Sequence, residues 1–450
     1  MPQHDGKDPT ASLWRNSDYV GWWAGNTCSA LGTSVSAISY PLLVLSLTGS
    51  VTQAGLIGSA NLLGVLVMTL WGGAIADRVS RRGTLVIGSL VQAALLGAVA
   101  LTVHEGFAHV PTLAAASLLS GLCSGIILGA STPALRRLVP KEQLATANGQ
   151  AMGRDMAAQL VGPPLGGVLF AAGRSIPFLF DALSFVVAAL GALRIRRPLG
   201  PDRDDGAPET SMLKDVGQGI GFVARQPFLR FVVIMASLLN MVDQAFMLLL
   251  IAIVRERGGN AATIGIITGV AVAGSLVGAV IAPLLTKRIP SRRLTALAVV
   301  SFTGGLALTA VVPEVWQIGV VVTLAGLAAV PLNVVLQTYV MHLVPDRLLG
   351  RVAAVNRFGA YSLEWLGPTL AGGLVIVFGV SGGILSLLVV MVPLCVVVLA
   401  SPALNILRTP IEEITELADN QVDMAADEPV DEPPAGPHAE LVAEPAAHKS

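Results

Sequence analysis

Apolar runs of about twenty residues, separated by short polar segments, dominate most of the chain. An α-helix needs a run of that length to cross the hydrocarbon core of a lipid bilayer. About twelve such runs can be read, at residues 19–46, 54–76, 84–103, 112–134, 146–172, 176–195, 229–254, 262–286, 294–312, 316–341, 352–378 and 382–405. The pattern predicts an all-α integral membrane protein with about twelve transmembrane helices, and that number suggests two six-helix bundles.

The polar segments divide this pattern into five predicted regions. A stretch rich in proline and aspartate near residue 200 is typical of a linker, and its second part, 212–222, is expected to form a short surface helix. Beyond Arg408 the chain is acidic and rich in proline and alanine, a composition that cannot bury a core. The regions are a cytoplasmic N-terminal segment (1–17), an N-terminal six-helix bundle (18–195), a cytoplasmic linker (196–227), a C-terminal six-helix bundle (228–405) and a disordered acidic tail (406–450).

The two halves carry a weak internal repeat. A Leu-Val-Pro motif ending at Pro140 is followed 22 positions later by Gly-Pro at 162–163, and a second one ending at Pro345 is followed by Gly-Pro at 367–368 at the same interval. A duplicated six-helix unit explains this spacing.

Composition and charge agree with a membrane protein. Hydrophobic residues make up 53% of the chain and charged residues 13%, with a mean hydropathy of +0.71, whereas soluble domains carry about 25% charged residues. Basic residues gather in alternate loops, so the positive-inside rule places both termini in the cytoplasm of a cell (inner) membrane protein. The first residues lack a cleavable apolar leader, so we expect the first helix to be retained. The three cysteines lie in different runs and support neither a disulfide framework nor a metal site.

A short burst of charge interrupts the apolar pattern after the second run. Small residues before it let two helix ends approach closely, and its acid can pair with an arginine or cap the next helix. The segment resembles the signature loop of the major facilitator superfamily, G-x-x-x-D-R-x-G-R-R, with serine at position 80 in place of a glycine. The matching residues are Gly73, Asp77, Arg78, Arg81 and Arg82. The alternative is an ordinary cytoplasmic loop that has collected arginines.

The fifth run contains closely spaced glycines and prolines. Glycines permit close helix packing, and prolines bend a helix, which can set the side to which a cavity opens. The motif resembles the antiporter motif of efflux members of the superfamily, G-x-x-x-G-P-x-x-G-G, with Ala158 in place of the first glycine. The matching residues are Gly162, Pro163, Gly166 and Gly167. The resemblance favours efflux, and the alternative is a packing kink without bearing on direction.

Further matches extend the resemblance over residues of roughly 12 to 405. They lie in 13–16, 41–50 and 180–185, and together they are similar to the bacterial branch that holds the enterobactin exporter and macrolide-efflux-type permeases. The resemblance implies two bundles related by a pseudo-twofold repeat. Many drug-exporting relatives carry a membrane-embedded arginine in helix four that is absent here, and we hypothesise that Arg154 takes over its role.

Ionisable residues inside the apolar runs are few, and each costs on the order of 3 kcal/mol at the bilayer centre. A proton-coupled carrier needs an acid whose pKa changes as its cavity passes between water and a drier state. The candidates are Asp155, Asp243 and Glu364. The alternative for each is a structural role, such as an ion pair of Asp155 with Arg154 or of Glu364 with Arg357. Asp181, in helix six, is interpreted as structural.

Polar residues form stripes on several of the predicted helices. In the resembled fold, helices 1, 5, 7, 10 and 11 contribute to a central cavity, so these stripes are expected to converge there. The candidate cavity residues are Asn26, Arg154, Gln159, Asn240, Gln244, Asn333, Gln337, Arg357, Tyr361 and Trp365.

The remaining sequence argues against other chemistry. It contains no nucleotide-binding P-loop, no paired histidines and no nucleophile with a base at recognisable spacing. We therefore expect no enzyme, no cofactor and no nucleic acid partner, but a monomer that works with a small-molecule substrate, protons and the lipid bilayer. The favoured function is proton-coupled efflux of a small amphipathic molecule (drug, siderophore or secondary metabolite) by alternating access. The alternatives are an uptake symporter or lipid-moving permease of the same fold, or a receptor that signals through the tail.

Overall fold

The computed structural model describes residues 12–78, 80–196 and 212–408. Helices account for most of these residues, and the described ranges contain no β-strand. Most of the predicted N-terminal segment, the first part of the predicted linker and nearly all of the predicted acidic tail lie outside them.

The first half of the chain forms six long helices, each of which covers one predicted apolar run to within a few residues. Short 3₁₀ turns precede the first of them, at Leu13–Arg15, and the fifth, at Lys141–Gln143. The helices are α1 (Ser17–Thr48), α2 (Val51–Arg78), α3 (Arg81–His104), α4 (Val110–Leu138), α5 (Leu144–Ala172) and α6 (Ile176–Leu193).

The second half is more fragmented than its sequence pattern predicts. The predicted tenth helix is divided in two after Gly326, and the predicted eleventh is interrupted at residues 362–365. The helices are α7 (Met212–Arg225), α8 (Pro227–Glu256), α9 (Ala261–Arg288), α10 (Ser291–Val311), α11 (Val315–Gly326), α12 (Ala329–Leu343), α13 (Asp346–Tyr361), α14 (Leu366–Ser386) and α15 (Leu388–Ala400), and a 3₁₀ turn follows at Pro402–Arg408.

Ten segments of the described chain are long and apolar enough to cross a membrane. One of them, Leu348–Ala400, has 53 residues, about 80 Å of helix at 1.5 Å per residue against a hydrocarbon core of about 30 Å. It must therefore cross twice, and the chain departs from helical geometry at Gly379, where φ is 69°. The less apolar α5 has 29 residues and packs between α1 and α9. The second crossing of the long segment and α5 raise the ten spans to twelve.

These crossings form two six-helix bundles. In the first, α1 packs against α5 and α6, α2 against α4, and α3 against α4 and α6. In the second, α8 packs against α13 and α14, α9 against α11 and α12, and α10 against α11 and α15. The short helix α7 covers the predicted surface-helix segment and packs on α13, where Gly219 lies against the backbone of Arg351. The division of the chain at 195 and 228 stays a prediction.

Two helix crossings join the bundles, and each uses one copy of the repeated Gly-Pro motif. In one, a Cβ atom on Gly265 of α9 would collide with the carbonyl oxygen of Pro163 in α5. In the other, a Cβ atom on Gly55 of α2 would collide with the carbonyl oxygen of Pro368 in α14. The second helix of each bundle thus meets the fifth crossing of the other bundle, as a pseudo-twofold repeat requires.

Both crossings lie toward the end of the molecule at which α1 ends and α2 begins, here called the Gly49 end. Thr52, in the first turn of α2, donates a hydrogen bond of 2.9 Å to the carbonyl oxygen of Gly372 in α14. Gly167, near the end of α5, lies against the backbone of Ala261, the first residue of α9. The opposite end, at which α2 ends and α3 begins, is called the Arg81 end.

Candidate functional site

A cavity of about 480 Å³ lies inside the C-terminal bundle. Helices α8 to α12 form its walls, and Gln159 of α5 reaches it from the N-terminal bundle. Its volume falls in the range of about 300–1,000 Å³ that is usual for small-molecule sites. Apolar residues predominate in the lining, and the polar ones are Gln159, Asn240, Asp243, Ser275 and Asn333. Such a wall suits a ligand with a large apolar surface and few polar groups.

Asp243 is the one charged residue among the described residues that line the cavity. Its side chain lies deep within the bundle and is exposed to the cavity. Within the described ranges, no residue donates a hydrogen bond to its carboxylate or forms an ion pair with it. The carboxyl group of Glu364 is close enough for the two charges to repel each other. Because a charge in an apolar interior is costly without a partner, a nearby cation or protonation would stabilise the Asp243 side chain.

Glu364 lies in the interruption between α13 and α14. Four backbone amides from Ser362 to Gly367 donate to the carbonyl oxygen three residues earlier, at 3.0–3.2 Å, so the α-helical pattern is locally replaced by tighter turns. A helix interrupted at membrane depth needs neighbours to satisfy its freed backbone groups.

Three polar residues of α8 bond to this segment, one of them to its backbone and two to its side chains. Asn240 donates a hydrogen bond of 2.9 Å to the carbonyl oxygen of Ala360, and Gln244 donates one of 2.5 Å to the Glu364 carboxylate. The hydroxyl groups of Ser237 and Ser362 lie 3.1 Å apart. Among the described residues Glu364 accepts a hydrogen bond from Gln244 and forms no ion pair with Arg357, so the alternative pairing considered for Glu364 is not seen in this structure.

The structure brings together some of the predicted cavity residues and not others. Gln159, Asn240 and Asn333 line the cavity. Asn26 instead bonds to the carbonyl oxygen of Trp22, at 2.8 Å, and lines a pocket of only about 20 Å³ between α1, α3, α4 and α6. The residues outside the lining of the larger cavity are Arg154, Gln244, Gln337, Arg357, Tyr361 and Trp365.

Asp155 is held by its neighbour Arg154, the structural alternative considered for it. The Arg154 guanidinium donates to the Asp155 carboxylate at 2.9 and 2.8 Å, and it also lies 5.6 Å from the centre of the Trp22 ring. The Asp155 side chain is 49% exposed. The pair is thus local to α5 and apart from the larger cavity.

Asp181 is almost fully buried between α6 and α1. Its carboxylate accepts a hydrogen bond of 3.1 Å from Ser184, and a Cβ atom on Gly32 of α1 would collide with it. It lines neither of the two cavities. This placement agrees with the structural interpretation.

The signature loop is described in part. The side chains of Gly73, Asp77 and Arg78 lie outside the described ones. Arg81 is buried, and Arg82 donates a hydrogen bond to the carbonyl oxygen of Leu193 at the end of α6. Ser80 caps α3, because its hydroxyl accepts a hydrogen bond of 3.1 Å from the amide of Gly83. The departure from the family pattern therefore supplies a helix cap in place of a flexible residue.

The antiporter-like motif lies between two helices. Gly162 and Gly166 face α1, where a Cβ atom would meet Ser34 and Val35 respectively. Gly167 and Pro163 face α9 of the other bundle. One turn of α5 therefore joins the interior of its own bundle to the crossing between bundles.

Sequence reasoning missed several residues of this region. Ser237 and Ser362 gave no signal as single serines in apolar runs, although Ser237, Asn240 and Gln244 share one face of a helix by the three-and-four rule. Gly55 and Gly265 were missed as partners of the prolines. The repeat marks the prolines but does not identify the helices that they contact.

Comparison with known proteins agrees with this architecture. The chain is 26% identical over 385 residues to the multidrug efflux pump Tap of Mycolicibacterium fortuitum, a match that covers 83% of this chain and 93% of that protein. It is 26% identical over 365 residues to the enterobactin exporter EntS of Citrobacter koseri, covering 77% and 82% of the two chains.

Solved structures share the fold at low sequence identity. A bacterial homologue of the lysosomal transporter Spinster superposes with a TM-score of 0.67 at 14% identity, covering 92% of this chain and 98% of that one. A bacterial homologue of the iron transporter ferroportin superposes with a TM-score of 0.66 at 18% identity, covering 86% and 100%.

The sequence model of the Major Facilitator Superfamily matches residues 22–363 and, in an overlapping second match, residues 232–423. These findings confirm the predicted fold class, and the two relatives confirm the resemblance to the efflux branch. The chain therefore belongs to the Major Facilitator Superfamily, whose members are multi-pass membrane transporters of small molecules and not enzymes.

Proposed function

We propose that this protein is a secondary active transporter that exports a small amphipathic molecule in exchange for protons, by alternating access. The observation that carries the proposal is the pair of Gly-Pro crossings. They join the two bundles toward the Gly49 end and leave each bundle internally packed. Two rigid bundles joined at one end can rock about that region and expose a cavity to one side of the membrane at a time.

The charge of the loops gives this arrangement a direction. Loops at the Arg81 end carry the basic residues, so the positive-inside rule assigns that end to the cytoplasm. The close approaches at the Gly49 end then correspond to a state that is closed toward the outside. We accordingly propose that the protein lies in the inner membrane with both termini in the cytoplasm. We also propose that it is a monomer.

Asp243 and Glu364 are the acids placed to couple transport to protons. Asp243 is exposed to the cavity without a bonded partner in the described chain, and Glu364 lies at the helix interruption three residues before Gly367. Since Pro368, four residues after Glu364, forms the crossing with α2, a change of charge at Glu364 can alter the geometry of that crossing. Asp155 is the weakest of the three candidates because Arg154 already neutralises it.

A proton supplies enough free energy for such a cycle. Moving one charge through a potential of 100 mV yields about 2.3 kcal/mol. That corresponds to roughly 40-fold accumulation of substrate if one proton is exchanged per molecule.

The test uses inverted membrane vesicles in which a pH gradient is imposed, with the acidic side inside. A pH-sensitive dye reports proton movement. Ethidium and a panel of macrolides, hydrophobic amines and siderophores are added one at a time. We expect at least one compound to dissipate the gradient in the wild type. Asp243→Asn or Glu364→Gln should abolish this proton release, because each replaces an ionisable carboxyl group with an amide of similar size.

The control is Asp181→Asn, which makes the same chemical change at a buried acid away from the cavity. It should retain the wild-type response. Accumulation of a compound after the gradient is collapsed would overturn proton coupling. Uptake of a compound into intact cells, driven by a proton gradient, would overturn export and indicate a symporter of this fold.

A further inference from the structure

We infer that the cavity of the C-terminal bundle selects molecules with one positive charge on a large apolar body, with Asp243 as the counter-charge. The inference rests on the proposed function, because it specifies the substrate class of that transport site. It places the charge recognition within one bundle and not at the midline between the two.

The charge distribution favours a single cation. Asp243 is the one charged residue among the described lining residues, and arginine, lysine and histidine are absent from that lining. Glu364 adds a second carboxyl group within electrostatic range, and its described hydrogen bond comes from the neutral amide of Gln244. In a low-dielectric interior, charge is far less screened than in water. A cation that enters is therefore attracted electrostatically to these carboxyl groups, and a neutral or anionic molecule of the same shape is not.

The size and polarity of the wall limit the rest of the ligand. A volume of about 480 Å³ admits one drug-sized molecule. Phe246, Phe302 and Met247 contribute flat or adaptable apolar surface. The neutral polar groups are Gln159, Asn240, Ser275 and Asn333, and Asn240 already bonds the backbone of α13. Few hydrogen bonds are left for the ligand.

The same features disfavour a ligand with several acidic or metal-chelating groups. Such a molecule would lose its hydration and meet a carboxylate without a compensating cation among the lining residues. The names of the two relatives indicate drugs in one case and a siderophore in the other. Of these two kinds of substrate, the cavity fits an amphipathic drug better.

The test measures equilibrium binding to the purified full-length protein in detergent, without any gradient. Ethidium fluorescence reports occupancy. Displacement by tetraphenylphosphonium is compared with displacement by tetraphenylborate, which has nearly the same shape and the opposite charge. We expect the cation to bind the wild type at least tenfold more tightly than the anion. Asp243→Asn should reduce this ratio several-fold, the Glu364 carboxyl group keeping a weaker preference for the cation, and Asp181→Asn should leave the ratio unchanged.

A second variant tests the place of binding independently of charge. Ala329 is exposed to the cavity, and Ala329→Phe should weaken both ions by filling space. Equal affinity of the wild type for the two ions would overturn the inference, as would a charge preference that Asp243→Asn leaves at its wild-type value. Cation-selective binding without proton release in vesicles would instead contradict the proposed coupling and leave the binding site intact.

Discussion

The two Gly-Pro crossings share their backbone packing and differ in what lies beside them. Each places a proline carbonyl against a glycine of the partner bundle. In α5 the helix continues unbroken through its prolines. Before Pro368 the helix is interrupted at 362–365, and the interruption holds Glu364 against Gln244, the residue that follows the cavity-lining Asp243. Both halves of the repeat contain the crossing between a proline carbonyl and a glycine of the other bundle, while the acids of the candidate site lie in the second half.

The largest expected effect comes from blocking a crossing. Gly55→Leu or Gly265→Leu places a side chain where the partner's proline carbonyl lies, and such overpacking costs about 1–3 kcal/mol. The cost applies only in the state in which the crossing is closed, so we expect transport in vesicle assays to fall by roughly 5- to 150-fold. Gly373→Leu is the matched control, because a Cβ atom at Gly373 meets no atom within 4 Å. Wild-type transport by both crossing variants would contradict the pseudo-symmetric contact.

Removing the support of the interruption should have an intermediate effect. Asn240→Ala leaves the Ala360 carbonyl without its donor, and Gln244→Leu does the same to the Glu364 carboxylate. An unsatisfied buried polar group costs about 1–3 kcal/mol. Both variants should lower the unfolding temperature of the purified protein, whereas Gln337→Leu, at an exposed position, should not. No change with either variant would show that the interruption does not depend on α8.

A smaller effect is expected at the first-half cap. Ser80→Ala removes the acceptor for the Gly83 amide and should cost about 1 kcal/mol, while Ser80→Gly, the residue of the family pattern, should cost only a few tenths. Thermal unfolding of the three proteins checks this order. Equal loss with alanine and glycine would mean that the cap does not stabilise α3.

Most of the fold could be predicted from the sequence because membrane crossing imposes a simple length and polarity rule. The twelve apolar runs and the turn near residue 380 follow from that rule. The interruption at 362–365 could not be predicted in detail. Pro368 removes the backbone donor for the Glu364 carbonyl, but Pro163 and Pro164 leave α5 unbroken, so a proline alone does not decide the outcome. Side-chain donors from α8 also bond to this segment. Local sequence cannot show that such donors come from another helix.

The candidate site was predictable as residue types and not as an assembly. Asp243 stands out as an isolated acid in an apolar run, and its stripe with Asn240 and Gln244 follows helical spacing. The sequence does not show that Gln244 bonds to Glu364 while Asp243 faces the cavity. Nor does it show that Arg154 and Asp155 pair with each other. These outcomes depend on tertiary packing, because the rotation of each helix and the conformation of each side chain decide which partner that side chain meets.

The most direct test of alternating access is a cross-link at the Gly49 end. The hydroxyl groups of Ser59 in α2 and Thr369 in α14 are hydrogen-bonded at 2.7 Å, so Ser59→Cys with Thr369→Cys places two thiols in contact across the bundles. The matched control is Thr303→Cys, which faces the native Cys395 within one bundle at 3.1 Å. Transport by each protein is measured in vesicles before oxidation, after it and after reduction.

We predict that oxidation arrests transport by the Ser59→Cys, Thr369→Cys protein, that reduction restores it, and that the Thr303→Cys protein transports throughout. The crossing must separate in every cycle, whereas the helices within one bundle move together. Full transport by protein that is completely cross-linked between Cys at 59 and Cys at 369 would contradict the account.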